Sequence, residues 1–568
     1  MKNRETSAAL ISALASVSAL AQGSPPSETT SGPQIQRFQQ QQLEAAKALN
    51  PRPNVPTPTG EQSSGASVIS LPIDNPCFPI KEIALEANPF GWLPRFLQPI
   101  VGQCAGKAAL KQIQGAANNA LIGRGYVTAR VLVPTQSLQS GTLTLHVVPG
   151  RISDVQADKS TIGWLRVALP TSGGALLNQR DLDQGLENLR RLQSQSDATF
   201  DIAPGVKPGD SDIVLHPGTG KRWHAVIGME NAGLDSTGKY ELSGSFTFDS
   251  PFHLYDQLQI AGMSNANFGA SDKGNQSVSA SYSVPIGYAM LALSASRSRY
   301  KQTVADFGEP IEYSGVQSRL QAELTGVIYR SAHARTQIHG NLFHTISRNS
   351  IDGVDLPVQH RDIIGYELGL THRQYLGTIV LDGLFAWRAS LPGLSGNPGT
   401  VVGAPDFAGR TQIELASLSA QVPFRIGGQT FSYQFRWNMQ NARTLLTPSD
   451  YFAIGTRYAV RGFDQQLTLA AQSGWEISNE LGWYVPTPAG TQALYAGVDA
   501  GRVRGPAAEF LIGETLAGAV IGMRGNLSPG SVAGAALNHD VSLGWPLSKP
   551  RGFQTRSPRL LFQVSTLF

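Results

Sequence analysis

The segment FSYQFRWNMQ places Phe431, Tyr433, Phe435, Trp437 and Met439 on one face of an extended chain, and Ser432, Gln434, Arg436, Asn438 and Gln440 on the other. A strict period of two is the signature of a β-strand between two different environments. The same alternation runs from about residue 222 to the end. In YELSGSFTF, Tyr240, Leu242, Phe246 and Phe248 oppose Glu241, Ser243, Ser245 and Thr247, and in QSVSASYSV, Val278, Ala280, Tyr282 and Val284 share one side. A soluble sandwich also alternates, with its apolar face as a dry core. Here the polar face carries small hydroxyls and amides with occasional charge, which suits a water-filled lumen. Charged residues make up 15% of the chain, against about 25% in ordinary soluble proteins, yet mean hydropathy is slightly negative. That combination fits a transmembrane β-barrel. The 60 glycines and 35 prolines supply many turns, and residues 222–568 leave room for about 16 strands at roughly 22 residues per strand and connection. The final RLLFQVSTLF carries a strand out to Phe568, an aromatic that a barrel can bury in lipid.

The other end of the chain suggests export. MKNRETSAALISALASVSALAQ has Lys2 and Arg4, a short apolar stretch from Ala8 and an Ala19-Leu20-Ala21 site, so residues 1–21 read as a secretory signal peptide. The apolar stretch is too short for a membrane anchor, and no run of 18 or more apolar residues follows. In residues 22–50, Pro33 opens and Pro51 closes a helical pattern with Ile35, Phe38, Gln42, Ala45 and Leu49 on one face. Its length of ~25 Å is close to the height of a barrel's apolar band. Residues 51–75, with five prolines (51, 53, 56, 58 and 72), form an extended linker.

Between linker and barrel the texture is mixed. CFPIKEIALE and GKAALKQIQGAANNALIGRGYVTARVLVP read as strand, helix, turn and strand, and GTLTLHVVPGRISDVQ as a further strand. A helix from Asp181 to Leu192, a following strand and SDIVLH repeat the plan. We therefore expect two α+β modules, at 76–152 and 153–220, and the barrel at 221–568. The two cysteines, Cys77 and Cys104, both fall in the first module. In an exported chain such a pair most simply forms a disulfide, and without CxxC spacing or a neighbouring histidine a metal or redox pair is the lesser alternative.

These segments together resemble the outer-membrane transporters of two-partner secretion, the TpsB type that includes haemolysin-activating and filamentous-haemagglutinin exporters. LIGRGYVTARVLVPTQSLQSGTLTLHVVPGRI is similar to that family's first POTRA (polypeptide-transport-associated) domain and LLNQRDLDQGLENLRRL to its second. MENAGLDSTGKYELSGSFTFDSPF resembles its first barrel hairpin, and Val460-Arg461-Gly462-Phe463 its signature in the sixth extracellular loop. The resemblance implies an all-β transmembrane barrel of about 16 antiparallel strands, two POTRA domains and an N-terminal plug helix. It implies that the Val-Arg-Gly-Phe loop folds into the barrel and that Arg461 pairs with Asp499 of GVDAG, Gly497–Gly501. One departure stands out: Ser478, in WEISNELGW, occupies a position where the family usually has arginine.

Function classes narrow accordingly. A charge of +4, from 45 basic and 41 acidic residues, gives no reason to expect nucleic acid. No GxSxG, HExxH or P-loop occurs, so neither catalysis nor a cofactor is expected, and His360 and His372 read as lumen or loop residues rather than metal ligands. The resemblance implies an outer-membrane translocator, its POTRA domains in the periplasm. It would recognise an unfolded partner exoprotein (adhesin, cytolysin or contact-dependent toxin) and export it without ATP. Lipids, lipopolysaccharide and the barrel-assembly machinery are the other expected partners. A barrel-assembly factor shares POTRA domains and the Val-Arg-Gly motif, but typically carries more POTRA units and no plug. A plain porin would have no use for periplasmic modules.

Overall fold

The computed structural model describes residues 70–568 except 73, 158–160, 267–272, 307–308, 400, 402–406, 489 and 528–535. The signal segment, the helical segment with Ile35, Phe38 and Leu49, and the linker as far as residue 69 lie outside the described residues.

Two small modules come first, and both are built the same way. In the first, strand Glu82–Glu86 pairs parallel with Thr142–Val148, which pairs antiparallel with Arg130–Leu132. In the second, Arg151–Ala157 pairs parallel with Asp210–His216, which pairs antiparallel with Thr199–Pro204. One helix covers a face of each sheet. In the first, helix Lys107–Gly123 turns Ala109, Ile113, Ala117 and Leu121 inward at i, i+4 spacing, against the alternating Leu143, Leu145 and Val147. Its N-cap, Gly106, has no side chain to cap with, so Asp74 from the linker accepts from the backbone N–H of Gly106 (3.0 Å) and Ala109 (2.9 Å) instead. In the second, helix Gln179–Arg190 is capped locally, Asn178 accepting from the Arg180 N–H. That cap starts the helix two residues before the expected Asp181.

The sequence reading needs one correction here. GTLTLHVVPGRISDVQ is two strands in two different sheets, broken at Pro149-Gly150, where Gly150 sits at φ +64°. Arg151 and Ile152 pair with Asp210 and Ser211 and thus belong to the second module, two residues earlier than the expected boundary. Cys77 and Cys104 are bonded and tie the start of the first module to the strand entering its helix.

Sixteen antiparallel strands among the described residues close into a single barrel, from strand 1 (Trp223–Glu230) to strand 16 (Arg559–Leu567). Strand 16 returns to strand 1 through register pairs Gln563↔Glu230 to Leu567↔Val226, and the Phe568 N–H donates to the Ala225 carbonyl at 2.9 Å. The alternation read from the sequence sorts the two faces. Ile260, Val278, Leu293, Leu320, Leu342 and Leu368 remain exposed on the outside, whereas Ser277, Asn341, Thr345, Ser432, Gln440 and Glu476 are buried on the inner side. Apolar surface on this scale around a closed sheet faces lipid. Phe568 shares the outer face with Leu560. His372 corrects another expectation. It pairs with Thr336 in the row next to Leu370 and Ile338, on the outer face, its Nδ1 2.9 Å from the Thr336 hydroxyl. His360 lies in the loop before strand 8 (Arg361–Leu376), its Nε2 2.7 Å from Asp355.

Candidate functional site

The connection between strand 11 (Gln429–Ala442) and strand 12 (Ser473–Thr487) brings the Val-Arg-Gly-Phe motif against the inner wall. Arg461 meets Asp499 of strand 13 (Gly490–Arg504) through three bonds. Its backbone N–H (2.9 Å) and Nε (2.7 Å) both donate to Oδ2, and Nη2 donates to Oδ1 at 2.9 Å. Side-on guanidinium–carboxylate geometry of this kind is the strongest ordinary ion pair. Asp499 is 1% exposed, so the pair is desolvated on the carboxylate side.

Two further groups complete the cluster, and both were missed in the sequence. Arg461 Nη1 also donates to Glu480 of strand 12, and Glu480 in turn accepts from Arg524 of strand 14 (Thr515–Leu527). Two guanidiniums and two carboxylates thus alternate across three strands. Ser478 donates to Asp499 Oδ1 (2.7 Å) and accepts from Arg461 Nη2 (3.1 Å). Ser478 is therefore a member of the clamp, and its second cation is Arg524.

Glycines make the close approach possible. A Cβ on Gly497 would lie 2.6 Å from Arg461 Nη2, and one on Gly501 would lie 2.8 Å from Val460 Cγ2. A Cβ on Gly518 would lie 1.9 Å from the Arg461 carbonyl oxygen. Gly462, at φ +108°, passes 2.9 Å from where a Gly544 Cβ would be. The loop tip lies flat on strands 13–15 because the wall there has no side chains. The strand 14–15 register also shifts between Ala517 and Gly518, a bulge directly under the tip. Val460 holds φ +59°, which is costly for a β-branched residue. It is held by a small dry core in which Phe463 packs edge-on to Phe553 at 5.6 Å, with Ile454, Leu469, Val503 and Leu516 around them. The same loop reaches the closing seam, where half-buried Arg457 lies 3.7 Å from Glu230 and donates to the Phe562 carbonyl at 3.3 Å.

At the opposite end the second module is seated on the turns of the barrel. Arg191 donates to the Tyr255 carbonyl (2.5 Å) and the Ser283 hydroxyl (3.0 Å). Asn188 donates to the carbonyls of Ala168 and Gly287, both at 2.7 Å, and the Tyr288 hydroxyl donates to Asp181 at 2.5 Å. Glu187 takes Arg330 at 2.7 Å and Arg335. Tyr255, wholly buried, enters the module's own core beside Ala168, Leu189 and Leu215. Burial pushes its hydroxyl up to about 12 and draws the Arg191 guanidinium down to about 10. Among the described residues no cluster of His, Cys, Asp and Glu is arranged to hold a metal ion.

Known proteins are similar to this chain over most of its length. Residues 209–525 match the family described as haemolysin secretion/activation protein ShlB/FhaC/HecB, residues 78–150 the ShlB-type POTRA domain and residues 151–204 a POTRA domain. The outer membrane transporter CdiB-2 of Burkholderia pseudomallei is 33% identical over 554 residues, 94% of this chain and 93% of the relative. The haemolysin transporter protein ShlB of Serratia marcescens is 27% identical over 440 residues, covering 76% of this chain and 77% of the relative. The solved structure of CdiB from Acinetobacter baumannii superposes with a TM-score of 0.79 at 26% identity, over 96% of this chain and all (100%) of that one. CdiB from Escherichia coli superposes at 0.80 with 24% identity, over 97% of this chain and 100% of that one, a likeness of fold. The chain belongs to the haemolysin secretion/activation family, and is a two-partner secretion transporter of the outer membrane whose POTRA domains lie in the periplasm.

Proposed function

We propose that the two periplasmic modules receive an unfolded partner exoprotein and pass it into the barrel, and that the Arg461–Asp499 clamp holds the inward loop in the position that transport requires. The observation that carries this reading is the double attachment of the wall: a loop clamped inside it by four alternating charges, and a module seated beneath it by Arg191, Asn188 and Glu187. A pore for small solutes needs neither attachment.

The client meets the modules at the open edges of their three-stranded sheets, Glu82–Glu86 in the first and Thr199–Pro204 in the second; the opposite edges are engaged, Val131 by the Asn118 side chain and Ile152 by the backbone of residues 174 and 175. Strand addition there uses backbone hydrogen bonds, which suits a chain that has not yet folded. No nucleotide is involved; folding of the client outside makes its return unfavourable. The segment around Ile35, Phe38 and Leu49 closes the resting pore and leaves when the client arrives, the linker permitting the excursion. Phe568, at the end of the last strand, serves the barrel-assembly machinery as a recognition signal, and the finished barrel sits among outer-membrane lipids and lipopolysaccharide. The client is an adhesin, cytolysin or growth-inhibition toxin. Deleting residues 76–220 tests the reading in cells that co-express the partner: secretion into the medium is abolished while an inserted pore still conducts. Continued secretion would overturn it.

A further inference from the structure

The outer face of strands 4–7 carries a pattern that lining a pore does not explain. These are Gly274–Ile286, Ala289–Asp306, Glu309–Arg330 and Ala334–Ile351. Cross-strand register puts Ala280, Ala295, Leu320 and His344 in one outward row, and Leu258, Tyr282, Leu293, Ala322 and Leu342 in the row next to it towards the periplasm. The small alanines between large neighbours leave an apolar depression of about 510 Å³ in the lipid-facing wall.

The next rows towards the cell exterior change character. Arg297 faces Val278 and Ser318, Arg299 faces Gln276 and Val316, Arg348 faces Val316, and Lys301 faces Gly274. A second recess, of about 410 Å³, opens there between Lys273, Gln276, Arg299, Lys301, Arg348 and Asp355. Leu320 and Val316 are four residues apart on one strand, so the two recesses are stacked along it ~14 Å apart. Their order is fixed by the rest of the fold. The periplasmic module sits on the Gly287–Tyr288 turn, and the cationic rows are at the opposite ends of the same strands.

Charges on the lipid side of a barrel are costly unless they reach the interface and meet a counter-charge. The carboxylates nearby are already engaged: Glu312 with Lys301 at 2.6 Å, and Asp355 with His360 at 2.7 Å. Arg299 uses Nε on Gln276 at 2.7 Å. Among the described residues Lys273, Arg297 and Arg348 have no carboxylate partner, and Arg297 and Arg348 are exposed. A fork of guanidinium donors above an acyl-sized apolar depression complements one kind of molecule, an acylated lipid with phosphate on its headgroup. At the outward end of an outer-membrane barrel that lipid is the phosphorylated, acylated disaccharide of lipopolysaccharide. We propose that Lys273, Arg297, Arg299, Lys301 and Arg348 form a binding site for its phosphates, with its acyl chains lying over Ala280, Ala295 and Ala322. The site is independent of client export.

Native mass spectrometry of the detergent-purified full chain tests this, with lipid A bearing two, one or no phosphates and with phosphatidylglycerol as probes. Wild-type protein should retain lipid A in order of phosphate number and ahead of phosphatidylglycerol. The triple variant Arg297→Ala/Arg299→Ala/Arg348→Ala should bind bisphosphorylated lipid A roughly a hundredfold more weakly, at about a factor of five per cation. The corresponding triple lysine variant should keep most of the binding. Equal retention of dephosphorylated lipid A, or of phosphatidylglycerol, by the wild type would overturn the proposal, and so would undiminished binding by the alanine variant. The wild-type comparison decides the matter even if the alanine variant does not assemble.

Discussion

Arg461 shows how a residue acquires meaning from its surroundings. Its side chain and backbone both bond to one carboxylate, and Asp499 also takes the Ser478 hydroxyl. Asp499→Ala therefore leaves the Arg461 N–H without its acceptor and the guanidinium with Glu480 as its remaining carboxylate, and should cost roughly 3 kcal/mol of loop attachment. Arg461→Lys should cost less, because the backbone bond survives. Exchanging the two charges, Arg461→Asp with Asp499→Arg, should fail to restore secretion, since arginine at 499 cannot accept the backbone N–H. Secretion of the partner measured for all three variants checks the order. Gly518→Ala should behave like Asp499→Ala, a Cβ there having 1.9 Å to the Arg461 carbonyl, while Gly244→Ala, with no neighbour closer than 3.9 Å, should be silent. Planar-bilayer conductance reports whether the loop has moved. Arg461 and Asp499 could be paired from the sequence only through a family resemblance; spacing does not bring together residues 38 apart. Glu480, Arg524 and Gly518 gave no signal of their own, because their role depends on the cross-strand register.

The elements were more legible than the contacts between them. Alternation exposed the barrel strands because lumen and lipid differ along every one of them, and a 3.6 period exposed both POTRA helices. The seam beneath the barrel was invisible. Asn188, Arg191 and Tyr255 are unremarkable in the chain, and their partners are mostly backbone carbonyls of turns. Asn188→Ala should loosen the second module from the barrel and increase hydrogen exchange at 165–192 without unfolding the strands. The seam also carries a pH signature. Burial raises the Asp181 carboxyl above its usual range, against the opposing pull of the Tyr288 hydroxyl. A folded-state value above the unfolded one means that stability increases as pH falls through the raised value and levels off below the ordinary 3.8. Asp181→Asn should remove that acid-side gain in thermal melting. In the first POTRA domain, Cys77→Ser with Cys104→Ser reopens a separation of 27 residues and should destabilise the domain by about 3–4 kcal/mol, read from its melting.

For the whole molecule, the central claim is that the polar face of the alternation is a passage for another polypeptide. Strands 10 (Gln412–Ile426) and 11 offer a clean contrast between adjacent residues. Ser417 pairs with Asn438, which donates to Glu476 on the inner side, while Leu418 pairs with Trp437 and faces lipid at 43% exposure. The measurement is site-specific photo-crosslinking during export, with a photoreactive amino acid at 417 or at 418 and a partner exoprotein arrested part-way by a folded domain fused to its trailing end. Adducts between barrel and exoprotein are expected from 417 and not from 418. Adducts from 418 alone, or from neither position while the exoprotein still reaches the medium, would contradict passage through the lumen.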